Sequence, residues 1–297
     1  GVDWLALSFV QRPADVEQAR ALAKGRAAIL SKIEKPAAVT AFDSILAVSD
    51  GIMVARGDLG VELPVQNVPP IQKQLIRKCR AAAKPVIVAT QMLESMIESP
   101  MPTRAEVSDV ATAIYEGTDA IMLSAESAAG DFPIEAVTTM NNVAVEVEAD
   151  PTYLEIMEAT RKTDGRTVAD GIVAAAREIA ETADIKAICC FSQSGTTALL
   201  VARERPHVPI IVLSSDINTT RRLSLSWGTT CVKSLKVVDR FKTAVLEAIR
   251  AAKDTGIAKE TDLIVVTAGV PFNTPGSTNI LRVAPCDERL ILAGGSE

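Results

Sequence analysis

The apolar positions of the chain gather in short runs, and longer polar stretches of helix-forming composition separate them. In the first half, strand-like runs lie at residues 2–9, 28–33, 51–55, 85–90 and 120–124. Their ends recur about every 25–35 residues, the length of one βα unit with its crossover. Pro13 fits the first turn of the first predicted helix. The pattern predicts five consecutive parallel βα units, which fit either a doubly wound sheet or part of a (β/α)₈ barrel.

A second α/β series follows a change of character near residues 150–165. Asp150-Pro151 interrupts a helix, and residues 161–166 are polar with one glycine. Beyond this break the predicted strands lie at 187–191, 210–213, 230–233, 263–267 and near 279–283. We therefore predict two α/β domains, residues 1–155 and 156–290, the second with a mostly parallel sheet.

Composition narrows the class of protein. The chain is 48% hydrophobic with a net charge of -6, and no apolar run of membrane-spanning length lacks charges. This predicts no membrane partner and no nucleic-acid partner. None of the five cysteines forms a C-x-x-C pair, so we expect buried reduced thiols and a cytoplasmic location. The cysteines are Cys79, Cys189, Cys190, Cys231 and Cys286.

Polar and charged residues follow four of the apolar runs in the first half. The second run ends in Ser-Lys-Ile-Glu, the third in Ala-Arg-Gly-Asp, the fourth in Ala-Thr-Gln and the fifth in Ser-Ala-Glu. Ligand-binding residues of α/β folds lie where parallel strands end at their carboxyl termini. These four segments are therefore predicted to line one mouth.

Lys32 and Glu34 are two residues apart on an extended segment, so both side chains project to the same side. An isolated pair of this kind would be an ordinary surface ion pair. Asp58, at the next strand end, changes this interpretation because two carboxylates with room for water suit Mg²⁺. A lysine beside them would stabilise a phosphoryl group in transit. The combination favours phosphoryl transfer to or from an enolate.

Three further segments have ordinary structural explanations beside a functional one. The loop at 56–60 contains two glycines whose N–H groups suit an anion, although such a loop is usually only a turn. Thr90 alone is an unremarkable strand residue. Residues 191–197, Phe-Ser-Gln-Ser-Gly-Thr-Thr, predict either a phosphate-binding helix N-terminus or a common N-cap. His207 is interpreted as a solvated turn residue.

Together these segments resemble the barrel motifs of pyruvate kinase. The resemblance extends from residue 2 to about residue 283 and rests on the segments 31–34, 50–60, 84–96, 102–106 and 121–126. It implies that residues 1–155 form the second part of a catalytic (β/α)₈ barrel. Residues 156–290 would then form the C-terminal regulatory and oligomerisation domain.

The resemblance also implies a reaction, in which phosphoenolpyruvate transfers its phosphoryl group to ADP and gives ATP and pyruvate. Lys32 and Thr90 would be catalytic, Thr90 beside the carbon that receives a proton. Glu34 and Asp58 would bind Mg²⁺ or Mn²⁺. The substrate would contact Ala55, Arg56, Gly57, Asp58, Thr90, Ser124 and Glu126, with less certain roles for the last two.

In the second domain, the resemblance implies a site for a phosphorylated allosteric effector. Its phosphate would bind to Ser192, Gln193, Ser194, Gly195, Thr196 and Thr197. Residues 269–278 would close over the effector, although Pro271 and Pro275 also fit a plain surface loop. Fructose 1,6-bisphosphate, other sugar phosphates and AMP stay open as effectors, and a homotetramer is implied for the intact enzyme.

The chain departs from the family pattern at two levels. It has Ser-Ala-Glu-Ser from Ser124, where the family commonly has Ser-Gly-Glu-Thr. No segment corresponds to the family's first three barrel strands or lid domain, which carry the K⁺ ligands. We therefore expect a fragment, inactive or nearly so on its own. Two alternatives stay open, another Mg²⁺-dependent barrel such as an aldolase or mutase, and a non-catalytic sugar-phosphate or nucleotide sensor or assembly module.

Overall fold

The chain forms two compact units in a computed structural model, Gly1–Arg161 and Lys162–Glu297. The structure describes residues 1–161, 167–234, 238, 240–272 and 277–293. Most of the polar segment 161–166, residues 273–276 of the predicted effector loop, and the last four residues lie outside this description. The domain boundary at 155/156 stays a prediction, and each unit is described by itself.

The first unit contains a parallel sheet of five strands whose order follows the chain, β1-β2-β3-β4-β5. A doubly wound sheet reverses its strand order at a switch point, and this sheet has no such reversal among its described strands. The strands are β1 Trp4–Leu7, β2 Ala28–Ile33, β3 Gly51–Ala55, β4 Val86–Ala89 and β5 Ala120–Met122. The first, fourth and fifth are shorter than their sequence runs predict.

Helices connect and follow these strands. They are α1 Pro13–Ala23, α2 Pro36–Thr40, α3 Phe42–Val48, α4 Arg56–Glu62, α5 Val68–Ala81, α6 Arg104–Tyr115, α7 Ala125–Ala128, α8 Pro133–Ala149 and α9 Pro151–Ala159. Pro13 begins α1, as predicted. α8 ends at Ala149, because a proline disfavours helical backbone in the residue before it. α9 begins at Pro151, because proline is accepted in a first helical turn. Asp150 caps α9 by accepting the Thr152 N–H at 2.9 Å.

Strand register places the polar segments of the first unit at one edge of its sheet. Ile33 of β2 is level with Val54 of β3, and Ala55 is level with Ala89 of β4. All five residues of β3 are buried. The residues that immediately follow these strands therefore leave the sheet side by side.

The second unit contains another five-stranded sheet, of order β10-β9-β6-β7-β8. Among the described strands of this sheet, only β10 is antiparallel to its neighbour, β9. The strands are β6 Ile185–Phe191, β7 Ile210–Ser214, β8 Thr229–Lys233, β9 Leu263–Gly269 and β10 Thr278–Pro285. The chain leaves β6 towards β7 and later returns to its other side with β9, so the strand order switches at β6.

Helices cover both faces of this second sheet. They are α10 Val168–Thr182, α11 Thr196–Glu204, α12 Ile217–Arg222, α13 Phe241–Asp254 and α14 Glu288–Ala293. Residues of α13 and α14 share one buried cluster with Cys189. Residues of α10 and α11 share another with Cys190, so successive positions of β6 face opposite layers.

The cysteines are free thiols, and all except Cys231 are buried, in agreement with the expectation of reduced interior residues. Burial raises the pKa of Cys190 to about 12. Among the described helices, none combines the length and the apolar character that a membrane span requires.

Candidate active site

Lys32 and Glu34 form a close ion pair at the end of β2. Lys32 Nζ lies 2.6 Å from Glu34 Oε1, and the Glu34 side chain is only 2% exposed. Burial on this scale is rare for glutamate unless its charge is paired. The surface-pair explanation therefore does not apply to Glu34.

Both residues also contact the segment that follows β1. Lys32 Nζ donates to Ser8 Oγ at 3.1 Å, and the main-chain N–H of Phe9 donates to Glu34 Oε2 at 2.7 Å. Phe9 has a φ of 57°, in the left-handed region that bulky residues rarely adopt. The ends of the first two strands are thus joined through polar contacts.

The ends of β3 and β4 are joined in a similar way. The N–H of Gly57, in the first turn of α4, donates to Thr90 Oγ1 at 2.8 Å. The same hydroxyl donates to the Ala89 carbonyl at 2.6 Å. A Cβ on Gly57 would approach Thr90 Oγ1 to 3.3 Å, so glycine gives the N–H its close approach.

Arg56 fixes the backbone of the residues after β4. Its guanidinium donates to the Thr90 carbonyl at 2.8 and 3.3 Å and to the Gln91 carbonyl at 3.0 Å. It also pairs with Asp109 of α6 at 2.6 Å. Thr90 and Gln91 have φ values of 74° and 53°, a costly conformation for a β-branched residue. We infer that the Arg56 contacts stabilise this turn.

Asp58 lies in the first turn of α4 with an exposed side chain. No contact between described residues joins it directly to Glu34, and these residues contain no group of three or more His, Cys, Asp or Glu suited to a metal ion. The two carboxylates nonetheless follow adjacent strands, Glu34 with a buried side chain and Asp58 with an exposed one. Such a pair fits Mg²⁺, which keeps several waters and substrate oxygens as ligands. The donor set is compatible with this ion.

Ser124 and Glu126 follow β5, and the Glu126 side chain points inward. Glu126 is 2% exposed and accepts the Leu93 N–H at 3.2 Å and the Ser124 N–H at 2.7 Å. Its carboxylate thereby connects the loop after β4 to the loop after β5. Glu126 therefore supports these two loops from the interior and is not itself exposed at the strand ends.

The segment at 102–106 has a structural explanation. Thr103 and Glu106 form a capping box at the start of α6, and Glu106 also accepts the N–H and hydroxyl of Ser95 at 2.7 and 2.6 Å. Burial raises the pKa of Glu106, but the hydrogen bonds from Ser95 and Thr103 outweigh it and leave the pKa below its usual value. The segment therefore ties α6 to the loop after β4.

The predicted phosphate loop of the second unit follows β6, the strand at which the order switches. Gln193, Ser194 and Thr196 are exposed, and Ser194 Oγ lies 3.0 Å from Thr196 Oγ1. Gly195 precedes α11 with a φ of 86°, which glycine adopts without strain. Thr197 is buried, and its hydroxyl lies 2.6 Å from that of Thr278. Ser192 is 9% exposed and donates its N–H to the Leu213 carbonyl at 3.1 Å.

Sequence reasoning missed Ser8, Phe9 and Asp109. Ser8 directly follows β1, so the strand-end rule, applied to the first strand as well, would have found it. Asp109 offers no such signal, because its pairing with Arg56 depends on where α6 packs. His207 is exposed, as predicted, with its Nδ1 3.6 Å from Glu181 Oε2.

Two family profiles match the chain, one on each side of residues 138–169. Residues 1–137 match the profile described as "Pyruvate kinase, barrel domain". Residues 170–284 match the one described as "Pyruvate kinase, alpha/beta domain". The matches fall one in each of the two compact units.

Curated relatives agree with these profiles. The chain is 51% identical over 284 residues to a pyruvate kinase of Methylorubrum extorquens, a match that covers 96% of this chain and 59% of the relative. It is 52% identical over 283 residues to one of Agrobacterium vitis, covering 95% and 60%, and 45% identical over 287 residues to one of Geobacillus stearothermophilus, covering 95% and 49%. It thus spans about half to three fifths of their length. With both domain profiles matched in order, the chain belongs to the pyruvate kinase family.

Proposed function

We propose that the mouth at the ends of β2, β3 and β4 is part of a pyruvate kinase active site, which transfers a phosphoryl group from phosphoenolpyruvate to ADP. The observation that carries this proposal is the ion pair of Lys32 with the buried Glu34 carboxylate, whose atoms lie 2.6 Å apart beside the strand that leads to Asp58. A fixed cation next to carboxylates suits a reaction that moves negative charge between oxygens.

Lys32 would stabilise the phosphoryl group in transit and the enolate that it leaves behind. An ammonium group has three N–H donors. In this structure one of them faces Glu34 and another faces Ser8. The described residues provide no third partner, so the remaining donor can contact a substrate oxygen. The two existing contacts already restrict the long side chain, so less conformational entropy would be lost on binding.

Glu34 and Asp58 would hold Mg²⁺ or Mn²⁺. When bound, the ion would neutralise negative charge on substrate oxygens. Glu34 accepts only one hydrogen bond on each carboxylate oxygen from the described residues, so each oxygen keeps capacity for an ion. K⁺, expected in the intact enzyme, has no ligands assigned among these residues.

Ala55, Arg56 and Gly57 would hold the substrate carboxylate through main-chain N–H groups at the start of α4. The Gly57 N–H donates to Thr90 here, so a carboxylate would compete with that hydroxyl. Thr90 would then lie beside the carbon that receives a proton. Ser124 would contribute to the rim, and Glu126 would support it from below.

The first unit is proposed to be an arc of a (β/α)₈ barrel. Its sequential parallel strand order is the order of such barrels, and five strands leave β1 and β5 with one neighbour each among the described residues. An eight-stranded barrel would need strands from other residues. We therefore expect the 297-residue chain alone to release little or no pyruvate.

Association into a homo-oligomer, a tetramer in the intact enzyme, is also proposed. Ile134, Val137 and Val145 of α8 are 76%, 54% and 56% exposed. Positions three and eleven residues after Ile134 fall near one face of a helix, so these side chains form an exposed apolar stripe. Such a stripe favours association with another subunit. A cytoplasmic location belongs to the same proposal.

The catalytic proposal is tested by measuring pyruvate release from phosphoenolpyruvate and ADP with the full-length protein that contains these residues. Lys32→Met is expected to lower kcat about 1000-fold, the scale for loss of one preorganised electrostatic group. Lys78→Met, which removes an α5 lysine paired with Asp43 of α3, is the matched control and should retain activity. Equal activity of the two variants would remove Lys32 from the mechanism.

A sensor without catalysis is the second candidate, favoured by the position of the Ser192–Thr197 loop at the switch point of its sheet. It differs from the first candidate in one outcome. A sensor would bind phosphorylated metabolites at this loop while the full-length protein released no pyruvate.

A further inference from the structure

The segment after β1 contacts both charged residues of the Lys32–Glu34 pair. Ser8 Oγ accepts from Lys32 Nζ at 3.1 Å, and the Phe9 N–H donates to Glu34 Oε2 at 2.7 Å. Ser8 and Phe9 are adjacent in the chain, and Lys32 and Glu34 are two residues apart. Each charged group therefore has one partner at the end of β2 and one in the segment after β1.

The two oxygens of the Glu34 carboxylate have different partners. Glu34 uses Oε1 for Lys32 and Oε2 for the main chain of Phe9. Without the Phe9 N–H, the carboxylate could rotate about its terminal torsion, which is broad for glutamate. Without the Ser8 hydroxyl, Glu34 would be the one partner of the ammonium among the described residues, and the position of the ammonium would be less restricted.

The backbone of Phe9 carries a conformational cost that its surroundings must offset. Its φ of 57° is unfavourable for an aromatic residue, by about 1–2 kcal/mol. Lys35 Nζ lies 5.4 Å from the centre of the Phe9 ring and pairs with Glu62 of α4 at 2.6 Å. These contacts link the segment after β1 to the helix that carries Asp58.

We propose that Ser8 and the main-chain N–H of Phe9 are positioning groups, which orient the Lys32 ammonium and the Glu34 carboxylate for the reaction. The inference rests on the proposed function and deepens it. Ser8 acts through Lys32, so its effect falls on the step in which charge develops. The Phe9 N–H acts through Glu34, so its effect falls on metal binding.

The first test compares Ser8→Ala with Ser8→Thr in the full-length protein. Ser8→Ala is expected to lower kcat about 10-fold with little change in the KM for phosphoenolpyruvate, because a hydrogen bond to a charged group is lost. Ser8→Thr keeps the hydroxyl and should recover most of the rate. Ser44→Ala, which removes an exposed hydroxyl on α3, is the control. Unchanged kcat in Ser8→Ala would overturn the proposal.

A double variant shows whether Ser8 acts through Lys32. In a Lys32→Met background, Ser8→Ala is expected to cause no further loss, since residues that act as one unit are not additive. A full additional 10-fold loss would give Ser8 a separate role and contradict the inference. If Lys32→Met itself had no effect, the proposed function would fail instead.

Two readouts do not depend on turnover. Crystal structures of Ser8→Ala and Ser8→Thr should differ in the position of Lys32 Nζ, displaced in the first variant only. Mn²⁺ affinity, measured from the paramagnetic signal of the free ion, should be kept in Phe9→Gly, because glycine retains the N–H and adopts this φ without strain. An undisplaced ammonium, or a 10-fold loss of Mn²⁺ affinity in Phe9→Gly, would exclude the corresponding half of the proposal.

Discussion

The mouth of the first unit and the Ser192–Thr197 loop of the second unit hold their polar residues in different ways. In the mouth, polar groups contact one another across strand boundaries, as in the Lys32–Ser8 hydrogen bond at 3.1 Å and the Gly57–Thr90 hydrogen bond at 2.8 Å. Among the described residues, the exposed hydroxyls of Ser194 and Thr196 contact only each other, whereas Thr197 is buried and contacts Thr278. The polar groups of the mouth thus hold one another in place, whereas the loop exposes its hydroxyls to solvent.

The two regions should therefore respond differently when their polar residues are replaced. Where the functional groups are also structural ties, their replacement should reduce both stability and activity. Where the ties lie beneath the functional groups, the two effects should come from different residues. The chain contains one tryptophan in each unit, Trp4 and Trp227, so fluorescence can follow each unit alone.

The largest loss of stability is expected for Arg56→Met. The Arg56 side chain is 10% exposed and contacts Asp109 and the carbonyls of Thr90 and Gln91. Removing it leaves these groups without their cation, so the free energy of unfolding of the first unit should fall by about 3 kcal/mol. Urea titration followed by Trp4 fluorescence, in a Trp227→Phe background, measures this change.

The matched control is Arg12→Met, whose guanidinium is 76% exposed and pairs with Asp15 of α1. An exposed pair of this kind contributes little, and the change should stay within about 0.5 kcal/mol. Similar losses in the two variants would contradict the claim that Arg56 ties the mouth together.

Arg56 also marks the limit of what the sequence could predict. Strand-end position identified Arg56, and periodicity located its strand correctly. Its partner Asp109 is 53 residues away, and no local pattern couples the two. The apolar run predicts an extended Thr90, whereas in the structure tertiary contacts hold it at a φ of 74°. Local rules thus predicted where the strands end, and packing determined how the residues beyond those ends are held.

A smaller loss is expected for Asp170→Asn in the second unit. The Thr167 hydroxyl lowers the pKa of Asp170 from 3.8 to about 2; burial opposes this shift and Arg203 of α11 assists it. A lowered carboxylate pKa stabilises the folded state above pH 3.8, and this contribution is lost as the pH falls through about 2. A shift of this size corresponds to about 2 kcal/mol at pH 7.

Urea titrations followed by Trp227 fluorescence, in a Trp4→Phe background, measure this effect. The gap between Asp170→Asn and its parent should narrow as the pH falls from 4 towards 2. Asp184→Asn, at a side chain 85% exposed and paired with Lys186, is the exposed-pair control and should change the free energy of unfolding little. A constant gap for Asp170→Asn would mean that its charge is not the stabilising feature.

A further, smaller loss is expected for Thr197→Val, which removes one hydroxyl of the buried Thr197–Thr278 pair. The remaining hydroxyl would be left without its partner in the interior, at a cost of about 1 kcal/mol. Replacing both residues by valine should recover most of this stability, since no polar group is then left unpaired. A double variant less stable than the single one would assign the loss to packing rather than to the hydrogen bond.

The smallest change of stability, and the sharpest test of the comparison, is expected for Ser194→Ala combined with Thr196→Ala. Both side chains are exposed and their hydroxyls lie 3.0 Å apart, so the free energy of unfolding should change by less than about 0.5 kcal/mol. Binding should nevertheless weaken at least 10-fold for any phosphorylated metabolite that the loop holds, because two outward donors are lost. Calorimetry with fructose 1,6-bisphosphate, a sugar monophosphate and AMP measures the affinities, with Lys32→Ala as a control that should leave them unchanged. If the loop variant lost stability to the same extent as Arg56→Met, or if binding depended on Lys32 instead, the two regions would not differ in the way that their contacts imply.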